Sequence, residues 1–274
     1  SEENTEEIEA KLKDDPNDPA LLARLAKAKM MDGELHEAEK LARRAVDADE
    51  DNRLALEVLS HAIINRMLGE ADMAKRQELI DNTEPYLRRL IKLDPDNPSA
   101  IKYLGYVEQS HRNWTEAIEW LTRYQKRFPD DPDPYRRLTA IYLERKDFDE
   151  ALKQLEALFP MVEDEPAVAR QTADLYTERR QPEKAAIWLG RAIESDPYDP
   201  TVHQALGDAC LTIGRLAEAE REFQSLCTLR PNDSAGYAGL SRVYEAMGDH
   251  ERSAEFARRA EAAGGETSSK PAGP

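Results

Sequence analysis

The amino-acid sequence repeats itself every 34 residues, and three separate columns of residues share this period. The first column is alanine, with a serine in its last place: Ala117, Ala151, Ala185, Ala219 and Ser253. The second is proline, interrupted once by a glutamate: Pro95, Pro129, Glu163, Pro197 and Pro231. The third is a leucine followed by a small residue: Leu104-Gly105, Leu138-Thr139, Leu206-Gly207 and Leu240-Ser241. A period of this length indicates a small structural unit that stacks on copies of itself.

The spacing and the residue types resemble the tetratricopeptide repeat, whose pattern runs Trp-x2-Leu-Gly-x2-Tyr, then Ala-x3-Phe, then Pro. The resemblance implies an all-α fold, a right-handed α-solenoid of about seven helix-turn-helix repeats. Proteins of this family bind other proteins or peptides along a concave groove that the first helix of each repeat lines. The resemblance therefore implies a class of function without naming the partner.

Reading outward from the three columns divides the chain into a repeat domain, 19–263, and two flanking segments. The repeats are predicted to span 19–52, 53–97, 98–131, 132–165, 166–199, 200–233 and 234–263. Residues 1–18 are either a capping helix or the remnant of a preceding repeat. The segment 264–274 has no apolar pattern and is predicted to be disordered.

Each repeat is predicted to hold two amphipathic helices joined by a short turn. In the third repeat the helices are expected at Pro98–Ser110 and at about 115–127. Glycines are placed where a left-handed backbone would end the first helix: Gly33, Gly214 and Gly248. Prolines stand where the first helix begins, a position at which the missing N–H costs no hydrogen bond: Pro19, Pro98, Pro132, Pro166 and Pro200.

The second repeat departs from the pattern, because it holds 45 residues where the period allows 34. The additional residues, near 68–82, look helical, and Thr83-Glu84-Pro85 looks like a new helix start capped by Thr83. We therefore expect a lengthened or broken helix pair that bends the array. The insertion is interpreted either as a tolerated addition or as a docking element specific to this protein.

Charge and composition exclude several classes of function. The net charge is −17, which opposes the neutralisation of phosphates on which nucleic-acid binding depends. No apolar run approaches the roughly 20 residues that span a bilayer, so membrane insertion is not expected. The start at Ser1 shows no signal peptide, which slightly favours the cytoplasm but is also compatible with a removed leader. The oligomeric state is left open.

A search for catalytic and metal-binding motifs finds none. His36-Glu37 lacks the second histidine of an HExxH zinc site, and the remaining histidines have no ligand spacing. There is no glycine-rich phosphate loop and no Gly-x-Ser-x-Gly motif. Cys210 and Cys227 are interpreted as reduced thiols, with a disulfide or a metal site as alternatives. The sequence predicts no enzyme activity, no metal and no cofactor.

The family resemblance assigns candidate binding residues to the first helices. The positions that would face the groove hold the following residues: Arg24, Lys27, Lys102, Tyr103, Tyr106, Arg136, Arg137, Arg170, Asp174, Asp208 and Arg242. Basic groups concentrate in the third to fifth repeats beside two tyrosines that are expected to be exposed. Arginine can hold a carboxylate through two hydrogen bonds, so this set suggests an acidic or C-terminal peptide segment as partner. Alternatively, these are solvated side chains paired with Glu144, Asp174 and Glu178.

The sequence thus predicts a scaffold that binds a protein or peptide in its groove without catalysis. A second hypothesis is that the chain is the C-terminal repeat region of a larger bacterial enzyme, where it recruits substrates or partners. Bacterial proteins with a peptidase-like domain ahead of such repeats have runs similar to 196–203, Asp-Pro-Tyr-Asp-Pro-Thr-Val-His. The start at Ser1 and the half-repeat before Pro16 agree with this arrangement. A third hypothesis is an assembly protein that associates with itself through its end helices.

Overall fold

The computed structural model describes residues 5–267, with side chains as far as residue 264. This range contains α-helices, one 3-10 helix at Phe159–Met161 and short turns, and no strand. The α-helices are α1 Thr5–Asp14, α2 Pro19–Met31, α3 Leu35–Ala48, α4 Arg53–Gly69, α5 Met73–Leu93, α6 Pro98–Ser110, α7 Trp114–Arg127, α8 Pro132–Glu144, α9 Phe148–Leu158, α10 Pro166–Glu178, α11 Pro182–Ser195, α12 Pro200–Thr212, α13 Leu216–Leu229, α14 Ser234–Met247 and α15 His250–Thr267.

The helices fall into two compact units, an N-terminal unit that ends at Ile141 and a C-terminal unit that begins at Tyr142, within α8. In the N-terminal unit, α2 packs on α3, α4 on α5 and α6 on α7, and α3 and α5 each pack on the following helix. The C-terminal unit repeats this order with the pairs α10–α11, α12–α13 and α14–α15. Within each unit, the helices of these pairs thus pack mainly on their neighbours in sequence. This is the all-α helical repeat, of the solenoid class, that the resemblance to the tetratricopeptide repeat implied.

The column of small residues permits close packing of the two helices in a repeat. A Cβ atom at Gly105 would lie 2.8 Å from the Leu121 side chain, and one at Gly207 would lie 2.8 Å from the Phe223 ring. The Phe223 ring also lies against Gly239 in α14, where a Cβ atom would overlap it. Phe223 is fully buried, and its ring contacts α12 at Gly207 and α14 at Gly239.

The turns after the first helices use a left-handed residue, as predicted from three glycines. Gly33, Gly214 and Gly248 have φ values of 82°, 77° and 79°. Three further turns adopt a similar geometry without glycine, and their left-handed residues are Arg112 at 62°, Lys146 at 60° and Arg180 at 55°. The sequence reading missed these, because it identified the turn only by glycine.

Aspartate and asparagine side chains fix the start of several first helices. Asp18, Asn97 and Asp199 each accept a hydrogen bond from a backbone N–H in the first turn that follows. The next residue is a proline in all three cases, and proline also begins α8 and α10, as predicted. The residue that precedes a repeat therefore caps the first helix of that repeat.

The second repeat has a lengthened helix pair, not a broken one. Helices α4 and α5 hold 17 and 21 residues, whereas α2 and α6 hold 13 each. The predicted new start at Thr83-Glu84-Pro85 is wrong, because Pro85 lies inside α5 and the Thr83 hydroxyl donates to the carbonyl of Leu79. The helix continues because Leu79, Ile80, Thr83, Leu87 and Leu90 form one buried stripe, while Pro85 is exposed on the other side.

Both ends of the described chain are helical. Helix α1 packs on α2 and buries Ile8 against the core. Helix α15 continues to Thr267, so it includes the first residues of the segment 264–274 that was predicted to be disordered. The rest of the predicted disordered tail, 268–274, lies outside the described residues, as do residues 1–4. Between residues 5 and 267, no helix combines the length and the hydropathy that crossing a bilayer requires.

Candidate functional site

The structure places every predicted groove residue on the first helix of a helix pair. The residues are Arg24 and Lys27 on α2, Lys102, Tyr103 and Tyr106 on α6, Arg136 and Arg137 on α8, Arg170 and Asp174 on α10, Asp208 on α12, and Arg242 on α14. Those on α2, α6 and α8 belong to the N-terminal unit and the others to the C-terminal unit.

In the N-terminal unit, side chains from α4, α6 and α8 form an aromatic group that we call the tyrosine cluster: His61, Tyr103, Tyr106 and Arg137. The His61 and Tyr103 ring centroids are 5.9 Å apart, and the Tyr103 and Tyr106 rings meet edge to face at 5.6 Å. The guanidinium carbon of Arg137 lies 3.3 Å from the centroid of the Tyr106 ring. A cation at this distance from a ring face is attracted by the ring quadrupole.

The two tyrosines of the cluster differ in exposure, which corrects the expectation that both are exposed. Tyr103 is half-buried, whereas Tyr106 is only 9% exposed. Arg137 covers one side of the Tyr106 ring, and Met67 and Ile80 from the lengthened repeat line the same cavity as Tyr106. The sequence pattern could not show this covering, because Met67 and Ile80 belong to the lengthened repeat, which departs from the 34-residue period, and Arg137 comes from the following repeat.

Arg137 is a partly buried cation with few partners. One terminal nitrogen donates to the side-chain oxygen of Gln109 at 3.0 Å. Its Nε is buried and has no hydrogen-bond partner among the described residues, although Asp133 Oδ1 lies 3.5 Å away. Burial lowers the pKa of Arg137, and the Asp133 charge opposes this shift. Arginine stays charged even so, and it has five N–H donors. The hydrogen bond to Gln109 uses one of them, so terminal N–H groups remain for a ligand.

Lys102 is neutralised by two aspartates that follow α7. Its Nζ lies 2.8 Å from Asp131 Oδ2 and 3.4 Å from Asp133 Oδ2. The Tyr124 hydroxyl donates to the same Asp131 oxygen at 3.1 Å. Burial alone would lower the pKa of Lys102, but the two carboxylates outweigh it and raise the pKa. Lys102 therefore belongs to an internal ion-pair network.

The basic groove residues of the C-terminal unit also face carboxylates. Arg170 pairs with Asp199, and Arg242 pairs with Asp208 at 2.7 Å. Asp174 is exposed on α10. The predicted surplus of positive charge is thus largely balanced within the chain, because the partners of Lys102 and Arg170 lie directly before the next first helix or, for Asp133, at its second position. These partners are Asp131, Asp133 and Asp199, and they differ from the three acids that the sequence suggested.

A cavity in the C-terminal unit was not anticipated from the sequence. It has a volume of about 780 Å³ and lies beside the 3-10 helix, between residues of α9 and α11. The Phe159 and Trp188 rings meet edge to face at 5.1 Å, and the Arg191 guanidinium carbon lies 4.3 Å from the Trp188 ring centroid. The signal in the sequence is Glu163, which replaces proline in the repeating column and lines this cavity.

The histidine in the run 196–203 has a structural contact on each ring nitrogen. His203 is buried, with Nδ1 2.7 Å from Glu222 Oε2 and Nε2 3.0 Å from the Pro197 carbonyl. It therefore fastens the turn before α12 to α13. Cys210 and Cys227 are free thiols, and no group of three or more His, Cys, Asp or Glu side chains within the described range could hold a metal ion.

Comparison with family models agrees with the helix pairs. Two models, both described as tetratricopeptide repeat, match residues 110–175 in one case and residues 68–132 and 204–266 in the other. The chain belongs to the tetratricopeptide repeat family. The matched ranges include α6, which carries Lys102, Tyr103 and Tyr106 of this tetratricopeptide repeat protein.

Solved structures of other repeat proteins share the fold. One is described as YrrB, a tetratricopeptide repeat protein with an unusual peptide-binding site; it is 17% identical, with a TM-score of 0.58 over 75% of this chain and 97% of its own. A second is the MamA protein, which is 14% identical, with a TM-score of 0.51 over 65% of this chain and 98% of its own. A comparison with curated protein sequences gave no match to this tetratricopeptide repeat protein.

Proposed function

We propose that this chain is a protein-interaction scaffold that holds a segment of a partner protein against its first helices and carries out no chemistry itself. The tyrosine cluster of α4, α6 and α8 is the observation that supports a specific binding place. Family membership supports the general class, because tetratricopeptide repeats are typically non-catalytic. The peptide-binding site named for the structural relative YrrB agrees with a peptide as the bound form.

The chemistry of the tyrosine cluster suits a peptide. Tyrosine rings present a flat apolar area and a polar end, and they lose little conformational freedom on binding. Tyr103 is half-buried, so one part of the side chain is held by the protein while another part faces outward. Arginine and tyrosine are also the residue types that contribute most often to binding energy at interfaces.

The ion pairs of the basic side chains near the first helices indicate which of these side chains can bind an acidic group on the partner. Lys102, Arg170 and Arg242 each have a carboxylate partner within the chain. We assign recognition of an acidic group on the partner to Arg137, because its contact with Asp133 is longer than these ion pairs, at 3.5 Å, and its side chain lines a pocket. The remaining predicted residues, among them Arg24, Lys27 and Arg136, are proposed as flanking contacts.

The proposal is tested by capturing a partner from a lysate of the native organism and measuring its affinity for purified variants. Tyr103→Ala is expected to weaken binding by about tenfold or more, which corresponds to about 1.4 kcal/mol. Tyr198→Ala removes a tyrosine that is 76% exposed in a turn outside the cluster, and it is expected to leave the affinity unchanged. Circular dichroism checks that both variants keep their helicity. Equal affinities for the two variants would move the contact away from the tyrosine cluster.

A further inference from the structure

The lengthened second repeat forms one side of a pocket that also contains Tyr106 and Arg137. The pocket has a volume of about 260 Å³ and lies entirely within the N-terminal unit. Four helices line it, with these residues: Met67 and Leu68 of α4, Arg76 and Ile80 of α5, Tyr106, Gln109 and Ser110 of α6, and Arg137 of α8.

The additional helical turns make this pocket possible. Helix α4 runs to Gly69 and holds 17 residues, so Met67 and Leu68 lie beyond the length that the 13-residue first helices reach. Helix α5 begins at Met73, and its first turns carry Arg76 and Ile80. Half of the residues that line the pocket thus belong to the lengthened helix pair. The pocket is therefore a feature of this chain and not of the repeat in general.

The pocket has an apolar floor and an apolar rim. Met67 and Ile80 are buried and contribute to the floor together with Tyr106. Leu68, at the rim, is 59% exposed, and Met73, beside Arg76, is 71% exposed, with its sulfur 3.8 Å from an Arg76 nitrogen. Two large apolar side chains thus face solvent next to a small pocket. Burying them would favour the binding of an apolar group.

The charge of the pocket is opposite to that of the whole chain. Arg76 and Arg137 line it, and no carboxylate does so, although the chain carries a net charge of −17. The Arg76 Nε donates to the Glu70 carbonyl at 3.1 Å, an uncharged partner that holds the guanidinium in place. Asp133 Oδ1 is 3.5 Å from Arg137 Nε, but Asp133 does not line the pocket.

From this arrangement we infer that the pocket binds an apolar side chain flanked by a carboxylate, supplied by an acidic segment of a partner protein. Its volume lies below the roughly 300–1,000 Å³ of small-molecule sites, which favours one side chain over a cofactor. The two arginines receive the carboxylate through charge-assisted hydrogen bonds, and the floor receives the apolar group. The inference rests on the proposed scaffold function and deepens it, since Tyr106 and Arg137 belong to both places.

The test uses short fluorescent peptides in an anisotropy titration with the full chain. The first peptide carries Glu-Leu-Glu between Gly-Ser flanks, the second replaces both glutamates with lysine, and the third replaces the leucine with serine. The first is expected to bind at least about tenfold more tightly than either of the others. No saturable binding of the first peptide, or equal binding of all three, would overturn the inference.

Variants of the chain locate the binding. Arg76→Glu is expected to weaken binding of the first peptide by about tenfold or more. Its control is Lys75→Glu, which makes the same charge change one residue away, outside the pocket, and is expected to have little effect on this affinity. Leu68→Ser should also weaken binding, and its control is Met31→Ser, which changes a residue that is 76% exposed elsewhere. If Arg76→Glu fails to fold, the inference is tested by comparing the peptide affinities of Leu68→Ser and Met31→Ser. Equal effects of a variant and its control on the affinity would contradict binding of the peptide in the pocket.

Affinity measurements on a captured partner protein separate this inference from the scaffold proposal. Tyr103 lies in the tyrosine cluster but does not line the pocket, and Arg76 lines the pocket but is not part of the cluster. A captured partner that is sensitive to Tyr103→Ala and insensitive to Arg76→Glu would support the scaffold and reject the pocket. Sensitivity to Arg76→Glu alone would support the pocket and reject the cluster as the contact.

Discussion

Lys102 and Asp131 form an ion pair at 2.8 Å between α6 and the residue that precedes Pro132. Arg170 and Asp199 repeat this relationship in the C-terminal unit, again between the fifth residue of a first helix and the residue before the next proline. Both pairs are 29 residues apart. The repeat thus places a carboxylate where it neutralises a basic side chain on the preceding first helix.

Asp131→Asn tests the energetic role of this pair. Burial alone would raise the pKa of the Asp131 carboxyl, but hydrogen bonds from Lys102, the Asp133 backbone and Tyr124 outweigh it and hold the pKa below its usual value of 3.8. Because the folded-state pKa is lowered, the stabilisation is present above the unfolded pKa and is lost as the pH falls through the folded one. We expect a loss of about 1 kcal/mol near pH 7 that shrinks as the pH falls below 3.8 and disappears below the folded-state pKa.

Urea unfolding of the wild type and of Asp131→Asn across this pH range measures the effect. Asp130→Asn is the control, since Asp130 is an exposed neighbour outside the Lys102 network. A difference between wild type and Asp131→Asn that stays constant down to the lowest pH would contradict the ion pair.

Gly239→Ala and Gly190→Ala make the same substitution in two different environments. A Cβ atom at Gly239 would overlap the Phe223 ring, whereas one at Gly190 in α11 would meet nothing within 4 Å. We expect Gly239→Ala to destabilise the protein by about 1–3 kcal/mol through overpacking. Gly190→Ala should stabilise it by about 0.5–1 kcal/mol, because alanine loses less entropy in a helix than glycine does. Thermal unfolding followed by circular dichroism compares the two, and the prediction is wrong if both shift the midpoint in the same direction.

Lys146→Gly is expected to stabilise the protein by about 1 kcal/mol. Lys146 is exposed and has a φ of 60°, a conformation that costs energy for a residue with a Cβ atom. The reverse change, Gly248→Ala, places a Cβ atom at a φ of 79° and should cost a similar amount. Chemical denaturation gives both values. Destabilisation by Lys146→Gly would mean that contacts of the lysine side chain outweigh the backbone strain.

Cys210 is expected to react slowly with alkylating reagents in the native protein. Burial, together with the nearby Glu218 carboxylate, raises the pKa of the Cys210 thiol from 9.0 to about 11. Because the thiolate is the reactive form, a shift of two units lowers its population at pH 8 by about 100-fold. Iodoacetamide labelling of Cys227→Ser, with and without denaturant, isolates the Cys210 rate. Equal rates in the two conditions would show that the thiol is accessible and ionised.

The fold could be predicted because its determinants recur in the sequence. Ala117 and its equivalents, Gly105 against Leu121, and the prolines at helix starts are local features that each repeat carries. The left-handed turns at Arg112, Lys146 and Arg180 escaped prediction, since the backbone geometry there is set by the helix on each side and not by the residue in the turn.

The candidate site could be predicted only in part. The sequence indicated which residues lie on first helices, but not which of them remain available to a ligand. The partners of Lys102 are Asp131 at the end of its own repeat and Asp133 at the start of the next. Tyr106 is covered by Arg137 together with Met67 and Ile80 of the lengthened repeat. Side-chain pairing between repeats depends on three-dimensional spacing, which a column of residue types does not contain.

The contact of Phe223 with both Gly207 and Gly239 has a consequence for cooperativity. In a one-dimensional description of a repeat array, each repeat has its own stability and each junction adds a coupling energy. One ring that packs against two successive first helices contributes to both quantities at once. The helices α12 to α14 are therefore expected to unfold together, as a single step, even though the repeats they belong to are separate in sequence.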